Sequence, residues 1–182
     1  MLITDVSGLV LLAILSSLIH EFGHIFTMIM QKNYIKAIKF HPFGIDIVDS
    51  NRTLYNYSKN ILVLISGSTT NFLIALILKM LYFYTRNPII NIVFYQNIYI
   101  GILNLLPIGV LDGGQIVFII LSKKIGINRA YKIIQFTSIL FLVPLAILGF
   151  LVLFRSKYNF SLLFLGCCLI SCLIFKEETL HV

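Results

Sequence analysis

The chain has 182 residues, 59% of them hydrophobic and only 12% charged, which is far more apolar than a water-soluble globular domain. A net charge of +7 would suggest nucleic acid as a partner for a soluble domain. Here the basic residues punctuate apolar stretches instead of forming a patch, so they read as a topology signal and direct nucleic-acid binding is not expected.

The first apolar stretch, residues 7–30, has no Lys or Arg before it and runs past any small-residue cleavage site. It reads as a retained helix, not a signal peptide. Inside it lies His20-Glu21-Phe22-Gly23-His24. A helix turns about 100° per residue, so His20 and His24 stack on one face about one turn apart and can converge on a single ion. Glu21 lies beside that face, which suits a base acting on water next to a metal better than a further ligand. Gly23 removes bulk where a substrate or a neighbouring helix could approach. A carboxylate at the bilayer centre costs about 2.5–3.5 kcal/mol on insertion scales, so Glu21 needs a functional reason to be there.

Residues 31–58 are polar and carry Lys32, Lys36, Lys39 and Arg52. Around His41-Pro42-Phe43-Gly44, Ile38 and Phe40 alternate on one side and Ile45 and Ile47 on the other, which reads as a short interfacial hairpin. Its edge could take up a substrate strand, or the segment could be a plain interfacial turn.

Further apolar stretches cover 59–84, 89–122, 133–154 and 159–175. The third, about 34 residues long, is too long for one straight span and contains Pro107, Gly109, Gly113 and Gly114. A broken helix is expected there, and irregular backbone at membrane depth is tolerated only where protein or a water-filled cavity satisfies it. A catalytic zinc site usually needs three protein ligands. Besides Glu21, Asp112 is the one carboxylate within an apolar stretch. His20 stands twelve residues before Lys32 and Asp112 eleven before Lys123, so the two are expected at similar depth.

The basic residues of 31–58, with Lys59 and with Lys123, Lys124, Arg129 and Lys132 of a loop at 123–132, oppose only Arg86, Arg155 and Lys157. Both basic connections are therefore expected to be cytoplasmic. Tyr34, Tyr55, Tyr57, Tyr84 and Tyr158 lie near polar breaks, as headgroup-depth aromatics do. Cys167, Cys168 and Cys172 have neither disulfide nor zinc-knuckle spacing and read as membrane packing residues. His41 and His181 lie outside the spans and read as structural. The fold expected is an all-α polytopic membrane protein with five to six transmembrane helices, a broken third segment and a short hairpin-like loop, all within one domain, 1–182.

With His20-Glu21-Phe22-Gly23-His24 and Asn104-Leu105-Leu106-Pro107-Ile108-Gly109-Val110-Leu111-Asp112-Gly113-Gly114, the chain resembles the site-2 (M50-type) intramembrane metalloproteases. Asn-Leu-Leu-Pro-Ile, Ser122-Lys123-Lys124 and His41-Pro42-Phe43-Gly44 bring it nearest to the stage IV sporulation protein FB branch. The resemblance implies one catalytic zinc ion held by His20, His24 and Asp112, Glu21 as acid/base, and Asn104 on the substrate backbone. It also favours Pro42, Phe43 and Gly44 as a substrate-docking segment. The implied substrate is a membrane-associated sigma-factor precursor cleaved in the mother-cell membrane around the forespore, with the active site toward the cytoplasm. A membrane-protein inhibitor and self-association are left open. That branch carries an extra leading hydrophobic segment and a nucleotide-sensing CBS domain, and neither is visible in this sequence. Gly67-Ser68-Thr69-Thr70-Asn71 matches a Gly-x-x-x-Asn pattern of the family and reads as small-residue helix packing. The alternatives are a site-2 protease for another regulator and a non-catalytic zinc carrier or receptor. Transport would normally call for ionisable groups along a path, and the sequence has one cluster.

Overall fold

The computed structural model describes residues 2–31, 35–41, 44–49 and 57–155. In chain order these form α1 (Leu2–Met30), β1 (Ile35–His41), β2 (Gly44–Asp49), α2 (Tyr57–Thr85), α3 (Pro88–Asn104), α4 (Asp112–Ile125) and α5 (Ile127–Arg155). The two strands pair in a two-stranded sheet. Pro42 and Phe43 of the expected docking segment, His181, the three cysteines and the stretch at 159–175 lie outside the described residues. Gly44 opens β2 and His41 closes β1.

Among the described residues, three helical segments, Val10–Met30, Tyr57–Thr85 and Ile127–Leu148, are long and apolar enough to cross a membrane. The protein is thus an all-helical membrane fold apart from its small sheet. Lateral contacts divide the chain into two compact units, the first holding α1, α2 and α3 and the second holding α4 and α5.

In the first unit the three helices pack pairwise, and their burial is the reverse of a soluble core. On α1 the buried residues with described side chains recur every four positions as Ser16, His20, His24 and Met28, while Leu18, Phe22, Phe26 and Ile29 are more than half exposed. On α2 the buried residues are Gly67, Ser68, Asn71 and Ala75, and on α3 they are Asn97 and Gly101. Large apolar side chains face outward, where lipid would solvate them, and small or polar residues let the backbones approach. Asn97 Nδ2 donates to Ser16 Oγ at 3.1 Å and to Val93 O at 2.9 Å. Gly23 meets α2 so closely that a Cβ there would lie 2.9 Å from the Ser66 carbonyl, which in this packing accepts from Thr70 Oγ1 at 2.8 Å. The turn into α3 uses Arg86 at φ 52°, then Asn87, whose Oδ1 caps Ile89 N at 2.9 Å, and Pro88 in the first turn.

The long third apolar stretch is broken as its composition implies, into α3, which ends at Asn104, and α4, which begins at Asp112. At 1.5 Å per residue each half falls short of a roughly 30 Å hydrocarbon core. In the second unit the link is held by Ile108 N donating to Leu106 O, Leu111 N to Ile108 O, both at 2.8 Å, and Gly109 N to Ser138 Oγ at 2.9 Å. Ile108 is fully buried, and its carbonyl lies where a Cβ of Gly114 would be. Only glycine lets α4 start that close to the preceding turn.

One boundary differs from the sequence reading. The expected loop at 123–132 is nearly all helix: Lys123 and Lys124 end α4, and Arg129 and Lys132 belong to α5. The break is confined to Gly126, at φ 85°. Lysine, arginine and alanine are good helix formers, so a run of charge marked an interfacial position without unwinding the backbone.

Candidate metal centre

His20 and His24 lie one turn apart on α1, 3% and 8% exposed. Their rings meet edge to face with centroids 4.8 Å apart, and their Nε2 atoms approach to 3.2 Å. Two nitrogens at zinc-imidazole distance, about 2.0–2.1 Å from one tetrahedral ion, would stand about 3.3 Å apart. The observed spacing is compatible with two ligands to one ion, and equally with an N–H···N hydrogen bond between the rings.

Helix α2 sets the rings. His24 Nδ1 lies 2.7 Å from the Val63 carbonyl; a carbonyl only accepts, so Nδ1 carries the proton and Nε2 keeps its lone pair. Such an outer hydrogen bond is what orients a metal-binding histidine. His20 Nδ1 lies 3.4 Å from Asn71 Nδ2. Between these two partners on α2 comes Gly67, whose absent Cβ would sit 2.5 Å from His24 Nε2 and 2.7 Å from His20 Nε2. The ring nitrogens thus occupy the space a side chain at 67 would fill, and the site fits a small cation with borderline-soft nitrogen ligands.

Glu21, next to His20 in sequence, is half-buried on the same helix. Asp112 is half-buried in the first turn of α4, with Gly113 and Gly114 buried behind it. A carboxylate there complements the positive end of the helix dipole. Asn104 is the last residue of α3, half-buried, and its Nδ2 donates back to Ile100 O at 3.2 Å. The roles of Val63, Gly67 and Asn71 around the histidines were not foreseen from sequence. The i, i+4 spacing of Gly67 and Asn71 was the available signal, and it read only as helix packing.

A model of Peptidase family M50 matches residues 85–145, which include Asn104 and Asp112 but not the His20 to His24 segment. Stage IV sporulation protein FB of Bacillus subtilis (strain 168) is 29% identical over 165 residues, covering 88% of this chain and 55% of that protein. The chain therefore spans about half the length of this curated relative. Among solved structures, the site-2 protease from Methanocaldococcus jannaschii has a similar fold, with a TM-score of 0.68 over 87% of this chain and 72% of that one at 22% identity. In sequence, in fold and in the match of its central segment, the family this chain resembles is that of the M50-type intramembrane proteases.

Proposed function

We propose that the chain is an intramembrane zinc metalloprotease that hydrolyses a peptide bond of a membrane-associated precursor. The observation that carries this reading is the buried pair of imidazole nitrogens 3.2 Å apart, beside Glu21, on a helix apolar enough to span a membrane. Asp112 is the proposed third ligand. It lies within the segment matched by the family model, and as a carboxylate beside two imidazoles it would bring the protein ligands to three, which leaves a tetrahedral ion one position for water.

Zinc, when bound, supplies Lewis acidity that polarises the scissile carbonyl and makes a water acidic. Glu21 accepts the proton of the attacking water and delivers it to the departing amine nitrogen as the C–N bond breaks and a C–O bond forms. No serine or cysteine is required, so no covalent enzyme intermediate arises. A transmembrane helix shields its own peptide bonds, so the substrate must be held unwound. Asn104, with Pro42, Phe43 and Gly44, is the proposed grip on the extended chain. A sporulation sigma-factor precursor is the favoured substrate, supported by the likeness to stage IV sporulation protein FB. The basic residues Lys123 and Lys124 at the end of α4 support an active site toward the cytoplasmic side of a bacterial membrane.

The test is cleavage of a candidate precursor co-reconstituted with the full chain in liposomes. Glu21→Gln should lower cleavage at least about 100-fold, the range for losing a general acid/base, while retaining zinc. Undiminished cleavage by that variant would refute the mechanism.

A further inference from the structure

Helices α2 and α3 and the turn between them contain no Asp or Glu, yet they bring two cations together at one end of α2. Lys79 Nζ lies over the Phe94 ring, 4.7 Å from its centroid, and over the Tyr82 ring at 5.4 Å. Arg86 Cζ lies 5.2 Å from the centroid of Phe83. Arg86 is also the residue at φ 52°, a left-handed conformation that glycine or asparagine would take at lower cost. An arginine held there points to a use for its side chain.

Lys79 and Arg86 line an open-sided groove of about 370 Å³ with Leu76, Met80, Tyr82 and Phe83. Leu76, Met80 and Phe83 follow one another at i, i+4 and i+7, which sets them on one face of α2, and all three are exposed. That helix is apolar enough to span a membrane, so the cover for this face is lipid. Arg86 follows the helix end, at headgroup level. Lys79 stands about 10 Å deeper at 1.5 Å per residue, and its ammonium lies over Tyr82, three residues nearer that end, as a snorkelling lysine does.

We propose that this groove binds an anionic phospholipid, its phosphodiester between Lys79 and Arg86 and an acyl chain along Leu76, Met80 and Phe83. Guanidinium and ammonium groups are the side chains that recognise phosphate, and basic pockets on membrane helices take acidic headgroups. A zwitterionic headgroup fits less well. Its ammonium would seek aromatic faces, and each of the three rings already carries one of the protein's own cations, which would repel it. A soluble phosphate would meet the two charges but leave the apolar strip uncovered.

The test is native mass spectrometry of the full chain in detergent micelles, titrated with phosphatidylglycerol or with phosphatidylethanolamine of the same acyl chains. A basic residue near an anionic lipid surface contributes about fivefold. The native protein should therefore hold its first phosphatidylglycerol at least about tenfold more tightly than phosphatidylethanolamine. The double variant Lys79→Gln, Arg86→Gln should lose about 30-fold in phosphatidylglycerol affinity with its helical content kept. The charge-keeping double variant Lys79→Arg, Arg86→Lys should stay close to native. So should Lys59→Gln, Lys132→Gln, which removes the same charge from exposed positions elsewhere. Equal affinity of the native protein for the two lipids would overturn the proposal. An equal loss in both neutralised variants would overturn it too, by showing diffuse charge attraction, as would displacement of the lipid by glycerol 3-phosphate at equal concentration, by showing a site for a soluble phosphate.

Discussion

Replacing Gly67 by alanine adds one methyl group at the most crowded point of the candidate metal centre. The new Cβ would lie 2.5 Å from His24 Nε2, 2.6 Å from its Cε1 and 2.7 Å from His20 Nε2, against an ordinary contact that begins at 3.4 Å. From 3.4 − 2.5, the His24 ring must retreat by about 0.9 Å, several times the roughly 0.2 Å tolerance of metal–ligand distances. It cannot retreat freely, because its Nδ1 is tied to Val63 on the same helix at 2.7 Å. Zinc affinity should therefore fall at least about tenfold, and cleavage about 100-fold, the usual effect of a misplacement near 1 Å. Overpacking should also lower stability by about 1–3 kcal/mol. The assays are chelator competition, precursor cleavage and thermal melting followed by circular dichroism. Gly101→Ala is the control: its Cβ would lie 2.7 Å from Phe72 Cε1, on a side chain that can swing aside, so stability alone should change. Zinc affinity of Gly67→Ala within twofold of native, or an equal loss in Gly101→Ala, would refute the reasoning.

Three further outcomes are expected. Asp112→Ala should lose zinc on dialysis against a chelator that leaves the native protein loaded; normal metal content would remove Asp112 from the ligand set. Gly114→Ala should lower the melting temperature, since its Cβ would strike the Ile108 carbonyl, a backbone group that cannot rotate away, at a cost of about 1–3 kcal/mol; an unchanged melt would contradict the packing of the 105–111 turn on α4. Asn97→Leu should cost only about 0.6 kcal/mol, the typical worth of an interhelical hydrogen bond in a membrane protein, because it removes the bond to Ser16 Oγ together with a buried Oδ1 that has no partner. Zinc affinity should not change, and a tenfold loss would make Asn97 part of the metal site.

What could be read in the sequence was whatever local backbone chemistry dictates. Pro107 and the glycines at 109, 113 and 114 announced the break in the third apolar stretch, and the helix ends at Asn104 and Asp112 enclose it. The i, i+4 histidines announced a shared face, and the rings do meet. The 123–132 segment was misread because charge was equated with loop, although its residues favour helix and only Gly126 leaves it. Val63, Gly67 and Asn71 stayed invisible as partners of the histidines for a different reason. They lie 39 to 51 residues along the chain from the atoms they touch, and no periodicity encodes which face of α2 meets which face of α1.

The reversed burial of the first unit sharpens the functional argument. In lipid, apolar side chains gain nothing by facing inward, so helix association rests on close backbone approach and on polar bonds worth little each. Gly23, Gly67 and Gly101 supply the approach, and Ser16 with Asn97 supplies a polar bond of this kind. Neither need requires two imidazoles. Replacing His20 and His24 by small residues would pack α1 against α2 as well, and it would spare the burial of two polar rings at 3% and 8% exposure. Histidines kept at that cost, with one ring tautomer fixed by a carbonyl and the space between them cleared by a glycine, are better explained by a ligand than by the fold. A stability measurement can separate the two accounts. If the rings serve a metal, His20→Ala and His24→Ala should leave the metal-free protein as stable as native or more so, while abolishing the stabilisation that added zinc gives to the native protein.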